Sequence, residues 1–369
     1  MLRPLHLAAT GCLTALGDLN GTFAGLSSVD GFGPGPDWAP QDLPLATVPR
    51  LAQLSRHRTF SLALACLESA ARDGIIIDPK GLGIVFATTT SAMLLGEAAI
   101  AEHLADRVPE HPEDFLWSHL AHQPAEAVAH HLGATGPRLV VSTACTSGTV
   151  AFGVGADLLR AGRCERVLVI GADALCRTTL FGFRSLGAHT RTVCRPFDVD
   201  RDGMAIGEGA AFALLAPGEG EIMLWGCASR TDAHHLTAPE PGGRGLQRAI
   251  TAALRGREPG EIDHVNAHAT GTPTNDAVEA LALAVAAPNA WTSATKGATG
   301  HTLGAAGVVE AVLLAESMRR GVVPASAGCR TAVPGVSVAA SARLRPQRLG
   351  LSVNLAFGGH NAALILERA

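Results

Sequence analysis

The sequence predicts an α/β fold whose sheet is covered on both faces. Short, wholly apolar segments alternate with stretches of helical periodicity, the pattern of strands buried above and below. One long C-terminal segment is apolar nearly all round at helical spacing, as expected of a helix enclosed on every side. Hydrophobic residues make up 47% of the 369 positions and charged residues 17%. That composition can fill one large core or two intimate halves, and it leaves little scope for long disordered stretches.

Taken in order, Gly81-Leu82-Gly83-Ile84-Val85-Phe86-Ala87 reads as a buried strand entering a Thr/Ser turn. Leu139 to Thr143 is a second strand, followed by a helix from about Thr146 to Arg160; Arg166 to Ala172 and Ala211 to Leu215 are the next two strands. The run Ala216-Pro217-Gly218-Glu219-Gly220-Glu221 interrupts the series and marks the expected boundary between an N-terminal half, residues 1–216, and a C-terminal half, residues 217–369. Alternation then resumes with a strand over Ile222–Ala228, a helix over Gly245–Leu254, a strand over Ile262–Asn266 and a helix over Asn275–Ala286. The enclosed helix spans Leu303–Arg319, and strands at Leu349–Asn354 and Ala362–Leu366 close the chain. The halves read as two rounds of a similar βαβ pattern without a literal sequence repeat.

Composition also excludes several function classes. A net charge of −4 gives no reason to expect nucleic acid or an anionic membrane as partner. The eight cysteines contain no CxxC pair, as expected of reduced, buried thiols in a cytoplasmic protein. Pro4 and His6 interrupt the N-terminal apolar run, so no signal peptide is expected. Leu139–Ala156 is uncharged but rich in Ser, Thr and Gly, which fits a buried strand and helix rather than a membrane span. His119 and His122 form an HxxH without further ligands, and no metal site is expected there or elsewhere. Low charge density further suggests an oligomer that hides part of its exterior.

The chemistry concentrates in three segments. In Val140-Val141-Ser142-Thr143-Ala144-Cys145-Thr146-Ser147-Gly148 a strand runs into a helix at a cysteine, where the helix N-terminus should lower the thiol pKa. Asn266-Ala267-His268-Ala269-Thr270-Gly271-Thr272 and Lys296-Gly297-Ala298-Thr299-Gly300-His301 each present a histidine beside small residues that admit a substrate. One thiol and two imidazoles from separate loops suggest acyl-thioester chemistry. Lys80 and Lys296 are the only lysines, so a chain that otherwise uses Arg keeps a compact ammonium five residues before His301. Asp276 and Glu279, at i and i+3 on one helix, and Glu310 in the apolar helix are the expected carboxylates around Lys296. A buried, unpaired Glu310 would cost several kcal/mol, so it should be satisfied by Lys296, by backbone amides or by water.

These motifs resemble those of the β-ketoacyl-(acyl-carrier-protein) synthases of the elongating, Cys-His-His type, within the thiolase-like superfamily. Arg195-Pro196-Phe197-Asp198, Gly207-Glu208-Gly209-Ala210 and the late Phe357-Gly358-Gly359 add to the likeness, which runs in order from Gly11 nearly to the C-terminus. The resemblance implies a five-layer α-β-α-β-α sandwich of two related halves. It implies that Cys145 accepts an acyl group, and that His268 and His301 donate hydrogen bonds to a malonyl thioester as it loses carbon dioxide. The backbone N–H groups of Cys145 and Phe357 would form an oxyanion hole, with Phe357 and Gly358 gating the acyl pocket and Thr270 and Thr272 holding the phosphopantetheine arm. No cofactor is implied, because substrates ride on the phosphopantetheine of an acyl carrier protein. The quaternary expectation is a homodimer, or a heterodimer with a chain-length-factor-like synthase. Alternative readings are a non-condensing partner subunit of that kind and a thiolase-like acyltransferase. Several positions depart from the family pattern: Ser142 stands for Asp, Ala269 and Ala356 for Gly, and His360 for Thr, while the segments between Gly31 and Arg50 and before Gly245 are short. The departures favour specialised polyketide or polyene synthesis over housekeeping fatty-acid elongation.

Overall fold

The apolar runs without a polar face become the strands of two sheets. The computed structural model describes residues 3–33, 35–49, 51, 57–117 and 120–369, so His119 of the HxxH pair lies outside the described residues. The first sheet is built from β1 (Leu5–Thr14), β2 (Leu82–Ala87), β3 (Arg138–Val141), β4 (Arg166–Asp173) and β5 (Gly209–Pro217), in the spatial order β3-β2-β4-β5-β1. The second contains β6 (Ile222–Thr231), β7 (His264–Asn266), β8 (Trp291–Ser293), β9 (Leu349–Ala356) and β10 (His360–Arg368), in the order β8-β7-β9-β10-β6. In both sheets the first strand pairs antiparallel with the last, the last antiparallel with the one beside it, and the remaining junctions are parallel. One topology is therefore used twice, and a single residue pair, His6 opposite Met223, joins the sheets edge to edge.

Seven helices matter for the site: α1 (Arg58–Arg72), α2 (Gln123–Leu132), α3 (Ser147–Arg160), α4 (Arg177–Ser185), α5 (Arg244–Leu254), α6 (Pro273–Ala286) and α7 (Ala306–Arg320). Helices α1 and α2 cover the outer face of the first sheet, and α5 and α6 that of the second. Helices α3 and α7 lie between the sheets and touch both. The layers are thus α-β-α-β-α, the thiolase fold. Almost every residue of α7 from Ala306 to Met318 is buried, which explains its lack of a polar face. The expected helix start at Leu303 is a single 3-10 turn, Leu303–Ala305, before the α-helix begins. Strand β1 and helices α1 and α2 were not read from the sequence, although α1 and α2 each carry an apolar face at helical spacing. No helix among the described residues is long and apolar enough to cross a membrane.

The central layer brings two helix starts together. A Cβ added to Gly148 would sit 2.4 Å from the Val308 nitrogen, and one added to Gly307 would sit 2.4 Å from the Thr149 nitrogen. The first turns of α3 and α7 therefore approach backbone to backbone, a distance that only glycine allows. Cys145 lies just before α3 and His301 shortly before α7. Gly307→Ala is expected to force these turns apart, lowering stability by about 1–3 kcal/mol in urea unfolding and reducing turnover by more than that loss of folded protein explains.

Candidate active site

Strand β3 delivers the chain into a tight turn before α3. Ala144 adopts φ +52°, a left-handed conformation unfavourable for a residue with a Cβ. The turn is held by Ser147, whose Oγ accepts the Thr143 N–H at 2.8 Å and donates to the Ala144 carbonyl at 2.5 Å. This geometry projects Cys145 towards a cavity of about 340 Å³ lined also by His268, His301, Phe183 and Phe357. Cys145 as a residue is half-buried. Loss of hydration nevertheless pushes its pKa up to about 12, with the Lys296 charge opposing. The thiolate expected from helix-start placement is thus not the resting form: desolvation outweighs the favourable dipole.

His301 Nε2 lies 3.0 Å from Cys145 Sγ, and the His301 ring stands edge-on to His268 with centroids 5.2 Å apart. The sequence assigned both imidazoles to the second substrate; the structure adds direct contact between His301 and the sulfur. Burial, reinforced by Lys296, holds both histidine pKa values well below 6.5, so both rings are neutral. Their tautomers are controlled differently. His268 Nδ1 faces Lys296 Nζ and the Asn354 Nδ2 amide, each at 3.2 Å. Both neighbours are donors, so Nδ1 accepts and the ring proton sits on Nε2. His301 Nδ1 is buried without a hydrogen-bond partner among the described residues, which leaves its Nε2 free to accept or to donate.

Behind the trio, Lys296 Nζ pairs with Glu310 and donates to the His268 carbonyl at 2.6 Å, while Glu310 accepts from Asn354 Nδ2 at 2.7 Å. Both ions are almost wholly buried. Asp276 and Glu279 do not join this pair. Glu279 accepts the His268 and Ala269 N–H groups, both at 2.7 Å, and Asp276 accepts the Phe197 N–H at 2.7 Å and the Gly271 N–H at 3.2 Å. The two carboxylates clamp the loop that carries His268, and they hold Ala269 at φ +33°. Burial, with Asp276 beside it, pushes Glu279 up to about 8 against the pull of those amides.

At the cavity mouth the Thr270 and Thr272 hydroxyls lie 2.9 Å apart, and both residues line the wall. Phe357 is 39% exposed and packs against Phe183 of α4 with ring centroids 5.6 Å apart. The Gly358 N–H is already committed to the Leu236 carbonyl at 2.7 Å, so Gly358 serves the turn and is not free to meet an oxyanion.

Sequence reasoning gave no role to Asn354 or Asp173. Asn354 is fully buried between Thr149, Glu310 and His268. Asp173 ends β4 and accepts the Thr88 hydroxyl, the Thr90 N–H and the Gly304 N–H, tying the His301 loop to the first sheet. A lone Asn or Asp within an apolar strand was the available signal. The sulfur and ring nitrogens of the trio lie within 4.8 Å of one another. Those donors suit a soft divalent cation, yet the Lys296 ammonium 3.2 Å behind His268 opposes one.

Comparison with known proteins gives a consistent picture. The sequence profile described as "Beta-ketoacyl synthase, N-terminal domain" matches residues 61–220, and that described as "Beta-ketoacyl synthase, C-terminal domain" matches residues 222–330. The chain is 33% identical to 3-oxoacyl-[acyl-carrier-protein] synthase 2 of Synechocystis sp., covering 72% of this chain and 70% of the relative. It is 32% identical to the tetracenomycin polyketide synthase ketoacyl synthase alpha subunit of Streptomyces glaucescens, covering 84% and 81%. A solved ketosynthase in complex with its chain length factor, from Xenorhabdus doucetiae, superposes with TM-score 0.90 at 31% identity, covering 100% of this chain and 98% of that one.

The buried ion pair gives a direct test of the site's architecture. Lys296→Met should strand Glu310 and cost about 3–5 kcal/mol in denaturant unfolding. Lys296→Met/Glu310→Met should cost less than the two single changes together; simple additivity would show that the groups are not coupled.

Proposed function

The chain belongs to the β-ketoacyl synthase family, and from that premise we propose how its residues carry out the condensation of an acyl thioester with a malonyl thioester. Cys145 is the acyl acceptor. Its thiol proton passes to His301 Nε2 as sulfur attacks the incoming thioester, and the carrier thiol leaves with a proton. The Cys145 and Phe357 N–H groups face the tetrahedral oxygen. Malonyl-carrier thioester then enters between Thr270, Thr272 and the two imidazoles. Loss of carbon dioxide leaves an enolate, whose growing negative charge is met by the N–H that Lys296 and Asn354 fix on His268 Nε2, and by His301 once its own N–H faces the cavity. Preorganised donors of this kind are each worth about 3 kcal/mol at the transition state. The enolate carbon attacks the acyl carbon, the Cys145 sulfur departs and is reprotonated, and a 3-oxoacyl thioester two carbons longer results.

The observation that carries this reading is a neutral thiol–imidazole contact beside a second imidazole whose tautomer is set from behind. A non-condensing partner subunit would need neither the thiol nor the buried pair. The reading extends to specialised polyketide synthesis, with this chain as the thiol-bearing member of a two-subunit synthase served by an acyl carrier protein. It is supported by the coverage of the Streptomyces ketoacyl synthase alpha subunit and by the Xenorhabdus ketosynthase, which is solved with a chain length factor. The outer edge of β3, where Leu139 is 41% exposed, is open among the described residues and suits a second subunit.

Cys145→Ala is expected to abolish 3-oxoacyl product from acyl- and malonyl-carrier protein, read by mass spectrometry, with unfolding unchanged. Acylation of wild-type Cys145 without condensed product would support a transferase instead. His268→Ala should slow malonyl decarboxylation about 10²- to 10³-fold and spare Cys145 acylation. His301→Ala should impair both steps, because it removes the group in contact with sulfur; intact acylation in that variant would exclude the proton-transfer role.

A further inference from the structure

Two hydrogen bonds run like rungs from the first turn of α3 to the β9–β10 hairpin. The inner rung joins Thr149 Oγ1 to Asn354 Oδ1, deep beside His268. The outer rung joins Thr146 Oγ1 to His360 Nδ1 at 2.8 Å. Thr146 and Thr149 are three residues apart and share a helix face. Ala356 and His360 form the pair that closes the hairpin. Thr146 is completely buried, and its hydroxyl proton is directed to the Thr143 carbonyl at 2.6 Å. His360 Nδ1 must then be the donor across the rung, in a position where the family motif has threonine.

The two ends of this outer rung adjoin the reacting groups. Cys145 immediately precedes Thr146, and the turn Phe357-Gly358-Gly359, with φ +85° and +71° at its glycines, immediately precedes His360. Within the C-terminal half the turn is held by Gly358 N–H to Leu236 O and Asp232 N–H to Gly359 O, both 2.7 Å. Neither bond relates it to the nucleophile turn, which belongs to the other half. The Thr146–His360 bond does.

We infer that His360 is a positioning residue for thioester acyl transfer: through Thr146 it sets the separation of the Cys145 and Phe357 backbone N–H groups that meet the tetrahedral oxygen. The inference rests on the condensing reading given above. A donor misplaced by an ångström can lose about 10²-fold in rate without loss of binding.

The test compares two reactions of the same sulfur. Acylation by an acyl-N-acetylcysteamine thioester develops an oxyanion, whereas alkylation by iodoacetamide does not; mass spectrometry of the Cys145 peptide follows both. His360→Leu should lower the limiting acylation rate about 10- to 100-fold, with half-saturation and alkylation changed by less than about twofold. His360→Asn, which keeps an N–H where Nδ1 lies, should recover most of the rate. Thr146→Val should match His360→Leu, and the double variant should lose no more; this arm decides the matter if His360→Leu does not fold. Unchanged acylation in both single variants would overturn the inference, as would a parallel fall in acylation and alkylation. A wild-type protein that is alkylated but never acylated would overturn the condensing reading instead.

Discussion

The contact between Gly148 and Gly307 is the constraint on which the site depends. The two halves share a topology, and each sends one helix into the central layer. Sulfur and imidazole can approach to 3.0 Å only if the starts of those helices nearly touch, and a single methyl at either glycine would intervene. The apolar burial of α7 supplies the force that holds the layers together, and the glycine pair sets where the helices stop.

Strain and buried charge are concentrated around this junction. Ala144, Ala269 and Leu303 lie at φ +52°, +33° and +53°, one beside or within two residues of each member of the trio. Left-handed backbone costs about 1–2 kcal/mol per such residue. Each is opposed by a specific hydrogen-bond set: Ser147 at the nucleophile turn, Glu279 at the His268 loop, and Asp173 beyond His301. Lys296, Glu310 and Asn354 are satisfied by one another and by His268, so the low-dielectric interior strengthens their bonds without leaving a stray charge. The outcome is a cavity wall in which the tautomer of His268 is fixed from behind and that of His301 is not.

The three motif segments were legible because the chemistry needs particular side chains next to small residues, and spacing along the chain preserves that. That Glu310 needs a polar partner was legible too, since a carboxylate in an apolar helix cannot stand alone; that the partner is Lys296 came from the fold. Asp276 and Glu279 were assigned to the same lysine because charge suggested it; in the fold their oxygens instead meet backbone amides of a loop that sequence cannot place. The lowered thiol pKa failed as an expectation for a related reason. Proximity to a helix start is written in the sequence, but the extent of desolvation depends on what is packed around the sulfur.

By itself the sequence determined the alternation of buried strands and helices, the enclosure of one helix, and the identity of the thiol and imidazoles, because these follow from side-chain chemistry and period. Tertiary structure alone decided which nitrogen of His268 carries the proton, which carboxylate neutralises Lys296, and that His360 reaches Thr146 across the halves. Those are contacts between residues far apart in the chain, and their geometry is set by the backbone approach of two helices rather than by any local pattern.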